Sequence, residues 1–217
     1  MLRILIILCF AMSFTVSCYG ETTSPTNMKQ IDSSLVEATA PQSQKTPAYN
    51  PIIIFGSSRS DGNTLQAIKL VIKNQPVPVI DLRGLNISDY DYDSMNASDD
   101  FIPLAEKMME HNPIILATPV YWYSMSAVMK TFIDRWTDLL SIRKDLGRRL
   151  ANKDLYIITS YGSSMPKGFE DPFSQTSDYF DMHYKGCFYF YSGKDTKQAR
   201  ENQLSAEKFH EQIFLPK

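Results

Sequence analysis

Cysteine is scarce in this chain of 217 residues, and its scarcity excludes a disulfide-stapled domain. Of the three cysteines, Cys9 and Cys18 lie in the apolar N-terminal segment. Cys187 is then the one thiol left for a folded domain, and one thiol forms neither an internal disulfide nor a metal site by itself. It lies among aromatic residues without a basic neighbour, so we interpret it as a small core side chain rather than a reactive thiol.

Two common phosphate-loop sequences and a strong charge imbalance are also missing. The absence of G-x-x-x-x-G-K-[ST] argues against a nucleoside triphosphatase, and the absence of G-x-G-x-x-G argues against a dinucleotide-type first turn. The formal net charge is −2, so composition gives no electrostatic case for a nucleic-acid partner. The hydrophobic content of 43% is a globular value, and the length suits one domain with additional segments.

The first 20 residues differ in composition from the rest of the chain. Arg3 supplies one positive charge, residues 4–14 are almost wholly apolar, and the next residues are small and uncharged. This is the order of regions in a secretory signal, and the apolar run is too short to predict a membrane span. We therefore predict a signal peptide over residues 1–20 and an exported protein.

The end of this segment, Thr15-Val16-Ser17-Cys18, is similar to a bacterial lipobox, in which the cysteine is lipidated and becomes the mature N-terminus. The similarity is imperfect because leucine is usual where Thr15 stands. Two outcomes stay open: a lipid anchor on Cys18 would give a membrane-attached lipoprotein, and ordinary cleavage would give a periplasmic protein. A true start at Met28 would instead leave a cytoplasmic protein.

Residues 21–49 are rich in Thr, Ser, Gln and Pro and poor in large apolar side chains. Such a segment cannot bury enough surface to offset the entropy of ordering it. We predict a flexible tether there, followed by one folded domain over residues 50–217.

Short apolar runs alternate with helical patterns through this domain. The predicted strands cover residues 52–55, 77–80, 113–118, 154–159 and 186–191. The predicted helices cover residues 63–73, 99–111, 125–142, 173–182 and 197–211. This alternation predicts an α/β fold, a doubly wound five-stranded parallel sheet with helices on both faces and the flavodoxin-like order 2-1-3-4-5. Ligands bind such sheets beyond the carboxyl ends of the strands, at the switch point between strands 1 and 3.

The loop after the first strand, Gly56 to Thr64, which we call the phosphate loop, has small and hydroxyl-bearing side chains. A strand–loop–helix unit of this kind aims backbone N–H groups and the positive end of the helix dipole at one point, which suits a phosphate. Hydroxyls and an amide can donate further hydrogen bonds, and one arginine supplies charge. The candidate binding residues are Ser57, Ser58, Arg59, Gly62, Asn63 and Thr64.

The loop after the third strand, Pro119 to Ser124, which we call the ring loop, carries three successive aromatic residues that cannot all face the core. Broad walls of this kind suit a flat, partly apolar ring such as isoalloxazine, and an exposed aromatic cluster at a dimer interface is the alternative. The loop after the fourth strand permits close backbone approach but could equally be a plain turn. The candidate residues of these two loops are Pro119, Val120, Tyr121, Trp122, Tyr123, Ser124, Ser160, Tyr161 and Gly162.

Together these segments resemble the flavodoxin-like NADPH-dependent FMN reductase family. The phosphate loop is similar to the family's G-S-x-R-x-x-G-N-T, Pro119-Val120-Tyr121 to its P-x-Y, and residues 130–135 to its K-x-F-[IL]-D-R helix. With a further stretch at 173–186, the resemblance covers most of residues 51–191. The chain departs from the pattern where small residues commonly follow P-x-Y, because Trp122 and Tyr123 are bulky.

The resemblance implies FMN as cofactor, NADPH or NADH as electron donor, a small-molecule electron acceptor and a homo-oligomer, either a dimer or a tetramer. It implies no metal and no catalytic acid or base, because the hydride chemistry belongs to the cofactor. The expected function is an FMN-dependent NAD(P)H oxidoreductase that reduces free flavin, quinones or similar acceptors. The alternatives are a flavodoxin-type electron carrier, or an exported flavin-binding protein that does not use NADPH, since NADPH is a cytoplasmic metabolite.

Two further features have plainer interpretations. His183 is expected at a helix end, as a surface or core histidine without a paired nucleophile. The acidic residues between Asp89 and Asp100 lack the glycine and terminal glutamate of a calcium loop, so we expect a solvated loop.

Overall fold

The computed structural model describes residues 49–215 and shows a five-stranded, all-parallel sheet in the order β2-β1-β3-β4-β5. Its strands are β1 Ile52–Phe55, β2 Val79–Asp81, β3 Ile114–Pro119, β4 Asp154–Tyr161 and β5 His183–Tyr191. Its helices are α1 Asn63–Ile72, α2 Phe101–Met108, α3 Ala127–Asp134, α4 Lys144–Arg148, α5 Asp171–Tyr179 and α6 Thr196–Phe214. This architecture confirms the predicted fold.

The predictions for the N-terminal segment fall outside the described residues. They concern the signal peptide, the lipid anchor on Cys18, the alternative start at Met28 and most of the tether. Within residues 49–215, no helix combines the length and the apolar character needed to cross a membrane. Tyr49, at the end of the predicted tether, packs against the apolar core beneath α1 and α6.

The side chains of β1 alternate between two apolar cores on opposite faces of the sheet. Ile52 and Ile54 pack into the core beneath α2, α3 and α5, whereas Ile53 and Phe55 pack into the core beneath α1 and α6. All four are almost completely buried, and burying one such side chain stabilises a fold by about 1.5–3 kcal/mol. This burial fixes the end of β1, and therefore the start of the phosphate loop.

The predicted helix over residues 125–142 is wrong in its extent. The α-helix α3 ends at Asp134 and continues as a 3-10 helix over Arg135–Leu139. The chain then reverses into α4, where an added Cβ on Gly147 would lie 2.3 Å from the Leu139 carbonyl oxygen. The apolar spacing persists through the 3-10 helix, which keeps Leu139 in the core, but the chain leaves the core at Leu140, which is 40% exposed.

The predicted position of His183 at a helix end is wrong, because this residue begins β5; its side chain is exposed, as the surface interpretation expected. The helix before it stops at Tyr179, and Asp181 has a left-handed φ of 55°. Within β5 the register to β4 shifts between Leu155 and Tyr156, opposite Gly186, whose φ of 109° suits only glycine. A β-bulge therefore interrupts the edge strand of the sheet.

A buried arginine ties the acidic loop to the helical layer. Arg135 is fully buried; its Nε donates to Asp138 at 2.8 Å, and its Nη1 donates to the carboxylate of Asp99 and to the Ser88 carbonyl. The guanidinium also lies 4.8 Å from the ring centre of Phe101. The expectation of a solvated loop is therefore wrong for Asp99, whose side chain is only 5% exposed.

Burial by itself would raise the pKa of Asp99. The hydrogen bond from Arg135, two backbone N–H donors and the charge of the guanidinium outweigh that effect and lower the pKa. The ionised carboxylate is thus part of the native packing.

Candidate functional site

The carboxyl ends of β1, β3 and β4 enclose a cavity of about 150 Å³. This is the switch point of the sheet, where a ligand site is expected. The cavity is lined by Ser57, Arg59, Gly62, Asn63, Thr64, Pro119, Val120, Tyr121, Ser160, Tyr161, Gly162 and Ser192. The ends of three strands and the residues that follow them, far apart in sequence, therefore meet at one cavity. Ser160 and Tyr161, which were predicted in the loop after the fourth strand, lie within β4. Four other predicted residues, Ser58, Trp122, Tyr123 and Ser124, do not line this cavity.

The phosphate loop delivers backbone donors to one side of the cavity. β1 ends at Phe55, and the N–H of the next residue, Gly56, donates to the Ala117 carbonyl at 2.9 Å. Helix α1 begins at Asn63 after Gly62, and no side chain in the described part of the chain caps it. Its first-turn amides are then free for an anion, which the helix dipole also favours.

Gly62 allows a close approach by the one cation of this loop. A Cβ added there would lie 3.2 Å from Nε and 3.3 Å from Nη2 of Arg59. The guanidinium therefore packs against the backbone just before α1, on the wall of the cavity. Backbone donors, hydroxyls and a guanidinium together form a donor set that fits a phosphate group.

Buried hydroxyls from the phosphate loop and from β4 also line the cavity. Thr64 Oγ1 and Ser160 Oγ are 2.7 Å apart, and either oxygen can be the donor. The N–H of Arg59 donates to Ser57 Oγ at 3.4 Å. All three hydroxyl-bearing residues are at least 95% buried, and all three line the cavity.

The ring loop is a tight turn that exposes two aromatic side chains. The N–H of Tyr121 donates to the Ser124 carbonyl at 2.9 Å, and the N–H of Ser124 donates back at 3.1 Å. The two central residues, Trp122 and Tyr123, both have left-handed φ angles, 46° and 69°. They are 93% and 70% exposed. A left-handed conformation costs such residues roughly 1–2 kcal/mol each, which is the kind of strain found at functional sites.

Tyr121 faces the phosphate loop. Partial burial would raise the pKa of its hydroxyl, but hydrogen bonds from Ser58 and Ser57 and the charge of Arg59 lower it. Tyr121 thus lies on the wall of the cavity, beside the phosphate loop.

Ser126, which was not predicted, anchors the ring loop to β1. Its Oγ donates to the Gly56 carbonyl at 2.8 Å and accepts from the Met129 N–H at 3.2 Å, which caps α3. Its own N–H donates to Thr118 Oγ1 at 3.0 Å. A serine just before an apolar helical pattern is a capping signal, so the sequence could have identified its role in α3.

Ser192, also not predicted, completes the cavity after β5. Its N–H and its Oγ both donate to the Tyr161 carbonyl, at 2.9 Å and 3.0 Å. The side-chain amide of Asn202 on α6 forms two hydrogen bonds with Tyr191, the residue before Ser192. It accepts from the Tyr191 N–H and donates to the Tyr191 carbonyl. The rule that functional residues follow parallel strands could have indicated Ser192.

An order of 2-1-3-4-5, with an uncapped helix, a phosphate-type donor set and an aromatic loop at the switch point, defines a flavodoxin-like flavin-binding protein. Comparison with known proteins gives the particular family. The model for "NADPH-dependent FMN reductase" matches residues 50–197, and the chain belongs to that family.

Individual relatives agree with this assignment. A curated Bacillus subtilis (strain 168) protein, YwqN, whose name describes an NAD(P)H-dependent FMN-containing oxidoreductase, is 31% identical over 132 residues, covering 53% of this chain and 67% of that protein. The solved structure of the Trp repressor binding protein from Bacillus subtilis is 22% identical with a TM-score of 0.60, over 77% of this chain and 99% of the other. A structure named as an NADPH-quinone reductase from P. pentosaceus is 16% identical with a TM-score of 0.55, over 76% and 97%. At these identities, the two structures show the fold.

Family membership confirms the predicted resemblance, the oxidoreductase class and FMN as the cofactor, used with NAD(P)H. Members of the family act on small substrates and are often oligomeric. The individual binding residues stay predictions.

Proposed function

We propose that this protein is an FMN-dependent NAD(P)H oxidoreductase that reduces free flavin, quinones or similar small acceptors. The observation that carries the proposal is that the phosphate loop, the ring loop and the carboxyl end of β4 line one cavity at the switch point. Residues Ser57, Arg59, Asn63 and Thr64 and the first-turn amides of α1 would hold the FMN phosphate. Bound FMN supplies the hydride-transfer chemistry.

The size of the cavity divides the cofactor between two environments. At about 150 Å³, the cavity is smaller than the roughly 300–1,000 Å³ of typical ligand pockets, so it suits the phosphate end of FMN. The flat ring would lie nearer the mouth, beside Tyr121 and Gly162. There it stays accessible to a donor and an acceptor, as reduction of small molecules requires.

The exposed aromatic turn favours two other parts of the proposal. Trp122 and Tyr123 present large apolar surface beside the site, which fits contact with a second copy of the chain in a dimer or tetramer. The same surface would serve an electron carrier that docks with a protein partner, which is our second candidate function. An exported flavin-binding protein that does not use NADPH is the other alternative to the reductase.

The visible spectrum of the purified full chain tests the proposal. We expect FMN to be taken up under anaerobic conditions, its bands to bleach with NADPH or NADH, and the colour to return with quinone or free flavin. Bands that bleach only with dithionite would favour the carrier or the binding protein. Failure of the folded chain to take up FMN would refute the assignment of the site.

Export and a lipid anchor on Cys18 are also part of the proposal, supported by the order of regions in residues 1–20. Metabolic labelling with a lipid analogue should mark the wild-type protein and not Cys18→Ala. A Cys18→Ala protein that still fractionates with membranes would contradict the anchor. Release of the wild-type protein with the soluble periplasm would favour ordinary cleavage, and retention in the cytoplasm would favour a start at Met28.

A further inference from the structure

The hydroxyl pair in the cavity joins two elements that are 96 residues apart in sequence. Thr64 lies in the first turn of α1, and Ser160 lies near the end of β4. Their oxygens are 2.7 Å apart, and the two residues are only 2% and 4% exposed. The carbonyl of Ser160 also accepts from the Val120 N–H at 2.8 Å. Ser160 is therefore bonded to both the phosphate loop and the ring loop.

The number of protons in this pair limits what it can offer a ligand. Each hydroxyl has one proton and can donate one hydrogen bond. One of the two protons is used within the pair, so one is left for a ligand in the cavity. If Ser160 donates to Thr64, the remaining proton is that of Thr64, at the start of α1.

An anion selects between the two arrangements. A phosphate dianion accepts hydrogen bonds, and the N-terminus of α1 is where the helix dipole favours it. A proton on Thr64 that points at this position stabilises the anion, whereas the reverse arrangement directs the lone pair of Thr64 toward it. Hydrogen bonds that run in one direction also strengthen one another in a buried environment.

We propose that Ser160 is a positioning residue for the FMN phosphate: it donates its hydroxyl proton to Thr64, and Thr64 donates its own proton to the phosphate. This inference rests on the proposed function, because it takes FMN as the ligand of the cavity. It differs from the sequence prediction, in which Ser160 itself contacts the flavin. A residue that acts through Thr64 affects the phosphate, whereas a residue that contacts the ring affects every flavin.

Binding of FMN and of riboflavin, which lacks the phosphate, separates these roles. Apoprotein of the full chain is titrated with each flavin, and quenching of flavin fluorescence gives the dissociation constants. We expect Ser160→Ala to weaken FMN binding about tenfold, equivalent to about 1.4 kcal/mol, and to change riboflavin binding less than twofold. Adding Ser160→Ala to Thr64→Val should weaken FMN binding no further than Thr64→Val alone.

A matched control removes another buried hydroxyl from the same strand. Thr159 Oγ1 donates to the Thr118 carbonyl at 2.8 Å, and Thr159 does not line the cavity. Thr159→Val should leave both flavin affinities unchanged. If Ser160→Ala does not fold, Ser160→Cys is the second variant, because it keeps the size of the side chain but donates weakly. It should weaken the binding of FMN and leave that of riboflavin unchanged.

The outcomes distinguish this inference from the proposed function. Equal weakening of FMN and riboflavin by either Ser160 variant would overturn the positioning role, as would unchanged FMN affinity. Additive effects of Thr64→Val and Ser160→Ala would overturn it as well. Failure of the wild-type protein to bind FMN would instead reject the proposed function, and this inference with it.

Discussion

Replacing Ser126 by alanine tests whether the anchor of the ring loop is as important as its contacts indicate. The change removes the cap of α3, worth about 1 kcal/mol, and leaves the buried Gly56 carbonyl without its donor, which costs about 1–3 kcal/mol. The two losses together come to about 3 kcal/mol. For a domain of this size they should lower the melting temperature by roughly 6–12 °C.

Urea unfolding followed by far-UV circular dichroism measures this loss, and Ser174→Ala is the matched control. Ser174 also donates to a carbonyl, that of Asp171, but on an exposed surface of α5, so its loss should change the free energy of unfolding by less than about 0.5 kcal/mol. If Ser126→Ala costs less than 1 kcal/mol, water or a neighbouring group satisfies the Gly56 carbonyl, and Ser126 does not anchor the ring loop.

Three further perturbations follow from the same structure. The pKa of Asp99 is lower in the folded state, so the stability that its carboxylate contributes is present above the unfolded pKa of about 3.9 and is lost as the pH falls through the folded pKa. Urea unfolding between pH 7 and pH 3 should show this loss. The Asp99→Asn protein should be less stable than wild type at pH 7 by about 3 kcal/mol and should lose less stability on acidification. Gly62→Ala displaces the guanidinium of Arg59 and should weaken FMN binding about tenfold. Gly84→Ala, which places its Cβ in open space, should leave FMN binding unchanged, and equal affinities of the two variants would contradict the role of Gly62. Trp122→Asn relieves a left-handed conformation and should raise the free energy of unfolding by about 1 kcal/mol, and a loss of stability would show that the exposed indole has a structural contact.

The order of the sheet and the position of the site could be predicted because both depend on local patterns. Each buried strand is a short apolar run, and the loop after it carries small or polar residues. The sequence could not show where a continuous helical pattern changes from one kind of helix to another. Residues 125–142 keep a helical spacing of apolar side chains, but the chain changes to a 3-10 helix at Arg135, whose guanidinium is held by Asp99 from a distant loop.

The sequence predicted which segments form the site, but not which of their side chains contact one another. Thr64 and Ser160 were both expected to face the cofactor, yet the hydrogen bond between them depends on α1 and β4 meeting in space. The aromatic residues of the ring loop were expected to form walls, but the left-handed turn directs Trp122 and Tyr123 outward. Such features depend on backbone angles and long-range packing, which residue type and spacing do not encode.

The bulge in β5 bears on how copies of this protein can associate. With nine residues, β5 is the longest strand of the described sheet, and it lies at the sheet edge. A long, straight edge invites strand pairing between molecules and then aggregation. Here Gly186 bends the strand, and Lys185, paired with Asp154 at 3.2 Å, places charge beside it. The strand is thereby protected against edge-to-edge association, which leaves helices and loops as the surfaces through which copies can associate.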